Sequence, residues 1–229
     1  MSIGATLQRL RSSLSNSAGT VVFGMEDGTV SIFGLIFGVA ATTTDTKTVL
    51  IAGASGAAAA AVSMMAGAYL DVETTRDRLK AARASEQAAA NSVAYLKSRL
   101  SEAGLTHEQS DALAVAVHND PNATGGLLLA LRGEPESPLD PMEQALWMLI
   151  ADFLAAAVPI LPFVFLAVPQ ARIVSGAVTI ALLVALGIGR AQIAKRSVVR
   201  TVLETVSIGV AAAMAGVAIG VLVDRLFSH

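Results

Sequence analysis

Two acidic residues stand side by side inside an apolar stretch long enough to cross a bilayer, and any fold for this chain has to accommodate them. The stretch runs from Ala18 to Thr44 and reads AGTVVFGMEDGTVSIFGLIFGVAATTT, with Glu26 and Asp27 adjacent within it. About 20 apolar residues at ~1.5 Å rise cover the ~30 Å of hydrocarbon in a bilayer. An acid at mid-helix costs roughly 2.5–3.5 kcal/mol on insertion scales, so it faces a partner, a cavity or an ion. Gly24–Gly28 and Gly34–Gly38 each have GxxxG spacing. Small residues at that spacing let a second helix approach closely, which suits an interhelical or a dimer contact.

The whole chain fits that environment. Of its residues 54% are hydrophobic and 15% charged, against ~25% charged in soluble domains, which points to a membrane protein. A net charge of −2 gives no electrostatic case for nucleic acid. The absence of cysteine rules out disulfides, thiolate metal sites and iron–sulfur clusters. The opening MSIGATLQRLRSSLSNS carries Arg9 and Arg11 but no cleavable apolar core, so the first span is expected to double as the insertion signal.

A second apolar run extends from about Thr48 to Leu70, and the short connection at 42–47 implies an antiparallel pair. From Asp71 the chain turns polar and strongly helix-forming with no breaker, so one helix is expected to leave the membrane and continue to Gly104. Thr106 then reads as an N-cap, with Glu108 or Gln109 near the capping-box position. Pro121 stops that helix, and NATGGLLLALRG gives a further short one. Three more spans follow, at roughly Glu143–Val168, Ile173–Ile193 and Val202–Leu222. Pro159 and Pro162 are expected to kink the first of these and free carbonyls that need partners.

The expected fold is therefore all-α: an integral membrane protein with five transmembrane helices and a small helical insertion between the second and third. Residues 1–70 hold the first two spans, 71–142 the insertion and 143–229 the last three. No Gly-rich phosphate loop or nucleophile–base pair occurs, so the chain does not read as an enzyme. Arg9, Arg11, Arg76, Arg78, Lys80, Arg83, Arg190, Lys195, Arg196 and Arg200 fall on one side of a five-span arrangement, against Lys47, Arg172 and Arg225 on the other. The positive-inside rule puts the N-terminus and insertion in the cytosol.

That orientation lets depths be compared. Asp27 lies ~13 Å from the cytosolic surface and Met64, on the second span, ~10 Å from it. Asp152 falls at a similar depth in the third span, and Glu204 nearer the cytosolic mouth. Carboxylates suit divalent ions such as Mn²⁺ and Fe²⁺, and a thioether discriminates against Mg²⁺ and Ca²⁺. Asp27 and Met64 are thus candidates for an ion-binding layer, Asp152 is a further candidate ligand, and Glu26 or Glu204 is a candidate for entry or proton handling.

These residues resemble the vacuolar iron transporter family of Fe²⁺/Mn²⁺ transporters. GMEDGTVSIFGLIFGVA, AVSMMAGAYL and VPILPF carry the resemblance, with Glu204, Gly209 and Gly220 in the fifth span. It implies a homodimer with the ion path between paired first helices, and proton-coupled removal of cytosolic metal across a cell membrane or a vacuolar-type membrane. Asp27 matches the family's first-span aspartate and Met64 its second-span methionine. The chain also departs from the pattern. A second-span glutamate of iron-transporting members falls at Gly56, and a second glutamate found in many members falls at Ala68. The family's repeated Glu-x-x-Glu pairs are missing from the insertion, where Glu86 alone corresponds.

Other candidates in the insertion, Glu73 with Asp77 and His107 with Asp111, are spaced i,i+4, and His118 follows on roughly the same face as His107. The expected partners are divalent metal ions, protons, the lipid membrane and a second copy of the chain. No cofactor is called for beyond the transported Fe²⁺ or Mn²⁺. The alternative is a non-transporting membrane scaffold or metal-responsive protein that kept the fold but lost its cytosolic ligands.

Overall fold

Where apolar residues outrun the length of a soluble helix, the chain builds five long helices, each apolar enough over at least part of its length to cross a membrane. The structure, a computed structural model, describes residues 17–89, 93–118 and 140–227, with positions 8, 13, 14, 120, 123, 124, 127 and 131; at 82–89 and 118 it describes backbone alone. Among the described residues there are eight helices and no strand. The long ones are α1 (Ala18–Thr42), α2 (Thr46–Ala89), α5 (Pro141–Ile160), α7 (Val168–Ile193) and α8 (Val198–Phe227). The short ones are α3 (Val93–Glu102), α4 (His107–His118) and α6 (Pro162–Phe165). Two units divide the chain, one made of 1–69 with 140–229 and the other of 70–139.

In the first unit α1 is the central element. Its Ile32 and Ile36 sit in a buried core with Val49 and Ala57 of α2, Ala156 of α5 and Phe163 of α6. The two GxxxG spacings of α1 serve two different neighbours. A methyl group on Gly24 would lie 2.5 Å from Met148 Sδ, and one on Gly28 2.5 Å from the carbonyl oxygen of Asp152, both on α5. A methyl on Gly38 would lie 2.6 Å from the Gly216 carbonyl oxygen, while one on Gly216 would collide with the Gly34 carbonyl. Helix α1 therefore packs backbone to backbone on α8 as well, as small residues at this spacing permit. What stays uncovered is a stripe of Gly19, Phe23, Ser31 and Leu35, with half-buried Asp27 in register.

The hairpin from α1 to α2 is closed by Asp45, whose carboxylate accepts from the backbone N–H of Lys47 and Thr48 and from the Thr48 hydroxyl. These bonds satisfy donors that the first turn of α2 leaves open. The third apolar run does not continue as one helix to Val168. It stops at Ile160, turns at Leu161, and adds the single turn α6 before α7 begins. Pro162 has no N–H and its ring crowds the preceding turn, which ends the helix there.

A carbonyl just before the break has a side-chain partner: Ser175 Oγ on α7 donates to the Pro159 carbonyl oxygen at 2.7 Å, in a buried setting. Ser175→Ala should lower the stability of the detergent-solubilised protein by about 1 kcal/mol, measured by thermal unfolding. An unchanged midpoint would show that the carbonyl is satisfied without Ser175.

In the second unit, Leu96 and Leu100 of α3 bury against Ala114 of α4. The turn between them follows local rules. Gly104 takes φ +92°, and the Leu105 N–H returns to the Leu100 carbonyl at 3.2 Å, closing α3 in a left-handed cap. Thr106 and Gln109 then form the reciprocal capping box, Thr106 N–H to Gln109 Oε1 at 3.0 Å and Gln109 N–H to Thr106 Oγ1 at 3.3 Å. The helix expected after Pro121 falls mostly outside the described residues, as do the side chains of Glu86 and His118.

Lys97 Nζ lies 2.9 Å from Asp111 Oδ1 and links the two helices. Its ammonium holds the Asp111 carboxyl below the usual carboxylate range. A carboxyl depressed in the folded state contributes stability that is present above its unfolded pKa and is lost as pH falls through the folded value. The protection of the Leu100 and Ala114 amides, taken relative to the unfolded exchange rate at the same pH, should thus fall below about pH 4, and Asp111→Asn should remove that dependence. The same acid dependence in the variant would locate the titrating group elsewhere.

Candidate functional site

The acids of α1 sit where its packing surfaces end. Glu26 is buried, and both of its carboxylate oxygens are engaged: Arg190 Nη1 of α7 donates to Oε2 at 3.2 Å, and Thr205 Oγ1 of α8 donates to Oε1 at 3.1 Å. One side chain thus ties three helices together. Asp27, the next residue, points differently. It has no hydrogen bond or ion pair to any described residue, and with Glu26, Arg190 and Thr205 it lines a cavity of about 250 Å³.

Asp152 of α5 is 0% exposed, and neither carboxylate oxygen has a hydrogen-bond partner among the described residues. It lies against the α1 backbone at Gly28, where a methyl group would come within 2.7 Å of its Oδ1. Asp27 is near enough to act on it electrostatically. A carboxylate removed from water with no donor is unfavourable by several kcal/mol unless it takes up a proton or a cation. Gly28 is what allows this proximity, because any larger residue would hold α5 and its acid away from α1.

The remaining candidates are placed apart from this pair. Met64 is half-buried on α2 and does not line the cavity with Asp27. Glu204, in the second turn of α8, pairs with Arg200 at 3.1 Å and lines a separate depression with Arg200, Leu203 and Ser207. Ile208 belongs to both the depression and the Asp27 cavity, so the two adjoin. In the second unit Asp77 pairs with exposed Lys80, and His107 Nε2 is 4.0 Å from Asp111. Among the described residues no three acids, histidines or cysteines converge in a metal-holding group.

Three residues at the site escaped the sequence reading. Met148, buried against Gly24, is the methionine one turn before Asp152 and on its face of α5. Its i,i+4 spacing from an intramembrane acid was the available signal. Arg190 served in the sequence only as a marker of orientation, although a lone cation ending an apolar run usually pairs with an intramembrane acid. Thr205 had no signal: a threonine on an apolar helix commonly bonds its own backbone.

A family model described as the VIT family matches residues 18–221. A protein named vacuolar iron transporter from Centaurea cyanus is 26% identical over 203 residues, covering 85% of this chain and 83% of that protein. A protein named vacuolar iron transporter 1 from Tulipa gesneriana is 26% identical over 214 residues, covering 90% of this chain and 87% of that one.

Proposed function

We propose that this chain, which belongs to the VIT family, moves Fe²⁺ or Mn²⁺ across a membrane and out of the cytosol, in exchange for protons. The observation that carries the reading is Asp152: a fully buried carboxylate with two unpartnered oxygens, beside Asp27 and between helices long enough to span a bilayer. Two acids without a resident counter-charge suit a passing divalent cation, and they suit protons when it has left. The chain's basic residues favour a cytosolic N-terminus and insertion. Glu204, beside the cavity, is placed to meet an entering ion, and Met64 supplies a soft donor on α2 at the depth of Asp27.

A second copy of the chain completes the reading. One chain offers two uncompensated acids at this layer, fewer than the six or so oxygen donors a hard divalent ion takes. The uncovered stripe of α1 carries Asp27, so a two-fold axis along it brings two copies of that acid together. A cross-linking cysteine belongs at Ser31, on the exposed stripe, rather than at Gly34, which faces Ala212 of α8. The chain has no native cysteine to interfere.

A non-transporting membrane protein is the second reading, and the insertion favours it, since it lacks Glu-x-x-Glu pairs and no metal-holding group forms among its described residues. Uptake by vesicles containing the purified protein separates the two. Transport predicts that Fe²⁺ and Mn²⁺ enter well ahead of Mg²⁺ and Ca²⁺. Equal, background-level entry of all four ions contradicts it.

A further inference from the structure

We propose that Arg190 is a positioning residue for the ion path: a resident cation that withdraws Glu26 from the ligand set and sets how tightly a divalent ion is held at Asp27. The inference deepens the transport reading and rests on it for its kinetic form. Its basis is the way charge is divided around one cavity. Glu26 and Asp27 are neighbours in sequence and line the same wall. Yet both oxygens of Glu26 are taken, by Arg190 and Thr205, and those of Asp27 are free of any described partner.

Three features make the pairing a built arrangement. Glu26 is nine-tenths buried, so its carboxylate stays out of bulk water. Thr205 is 3% exposed and fixes the second oxygen. Helix α7, which delivers Arg190, is locked to α8 nearby, where a methyl group on Gly187 would lie 2.9 Å from Val202 Cα. Arg190 itself is 40% exposed at its side chain and lines the cavity beside Asp27. The guanidinium is therefore rigidly placed at one end and accessible at the other.

The consequence is electrostatic. With all three groups ionised, Glu26, Asp27 and Arg190 give the wall a net charge of −1 instead of −2. A transporter must release what it binds, and a wall of −2 would hold a divalent ion more tightly and let it go more slowly. Removing the guanidinium also frees Glu26 Oε2 as a ligand, which acts in the same direction. Glu26→Gln does the reverse, leaving Arg190 to offset Asp27 alone.

Mn²⁺ uptake into vesicles, measured against Mn²⁺ concentration, reads the effect as a split between KM and maximal rate. Arg190→Gln should lower KM on the order of tenfold and lower the maximal rate with it, whereas Glu26→Gln should raise KM by a similar factor. Arg190→Lys, which keeps the charge, should return most of the shift. A purely structural role for Arg190 would reduce the amount of folded protein and leave KM unchanged. Equilibrium Mn²⁺ binding to the purified protein, followed by loss of the free-ion electron paramagnetic resonance signal, makes the same comparison without transport. Opposite shifts for Arg190→Gln and Glu26→Gln support the inference, and should Arg190→Gln not fold, the double variant Arg190→Gln/Glu26→Gln, whose wall keeps the net charge of −1, should bind near the native affinity; binding as weak as that of Glu26→Gln would make Glu26 a ligand and overturn it. Unshifted affinities overturn it while uptake by the unmodified protein keeps the transport reading. Shifted affinities with no uptake overturn the transport reading alone, and no Mn²⁺ binding by any variant overturns both.

Discussion

Asp27→Asn is expected to reduce divalent-metal uptake by at least about a hundredfold while leaving the folded protein intact. The substitution keeps the shape of the side chain and removes the charge that offsets the ion's lost hydration. Asp27 is half-buried, it bonds to no described residue, and the cavity beside it gives the amide room. Stability therefore gives no reason for the change to be harmful. Replacing an acid near Asp152 by a neutral group even removes a repulsion. Uptake assays paired with a thermal unfolding curve check both halves of the expectation. Normal uptake by the variant would move the ion path away from α1.

Gly216→Val is expected to have the opposite profile, a loss of folded protein with no specific effect on chemistry. The position of its first side-chain carbon is already occupied by the carbonyl of Gly34, and the next glycine on that face, Gly220, stands in the same relation to Gly38. Neither obstacle is a flexible side-chain end; both are helix backbone. Helices α1 and α8 would have to part, losing close packing along two turns, at a destabilisation of about 3 kcal/mol or more. Gly67→Ala is the matching control, since nothing lies within 4 Å of its added methyl. Yield of monodisperse protein after extraction should fall sharply for the first and stay level for the second. Equal yields would mean that the α1–α8 contact does not hold the fold.

Those two positions also mark what the sequence could and could not convey. GxxxG spacing announces that a backbone will come close, but not whose. In α1 the first pair of glycines meets α5 and the second meets α8 of the same chain, while the sequence suited a second subunit equally well. Local rules fared better because their partners lie within a few residues. The helix end at Gly104 and the Thr106 cap are readable from residue type and spacing, whereas Pro159 and Pro162 announced a kink and the helix instead ends before Pro162. At the capping box the sequence left Glu108 and Gln109 open, and the hydrogen bonds assign it to Gln109.

The candidate site was legible in part for the same reason. Counting residues from the span ends gives depth, and depth alone groups Asp27 with both Met64 and Asp152. It gives no rotation about the helix axis. Glu26 and Asp27 share a depth and line one cavity, yet the oxygens of Glu26 are bound by Arg190 and Thr205 and those of Asp27 by no described residue. Neither methionine lines the Asp27 cavity: Met148 of α5 lies against α1 at Gly24, and Met64 is on α2. An ion pair between residues as far apart in sequence as Glu26 and Arg190 depends on how α1 and α7 pack, which spacing along either helix does not encode.

On the transport reading, a divalent ion and protons move against each other through the layer of Asp27 and Asp152. Vesicles containing the purified protein, loaded with a pH-sensitive dye and given external Mn²⁺, report both movements in one trace. The account predicts that Mn²⁺ entry is accompanied by internal alkalinisation, that an acidic interior accelerates entry, and that Asp27→Asn abolishes both signals. Mn²⁺ entry without any proton movement would contradict the exchange, and a flat trace under gradients of either direction would contradict transport itself.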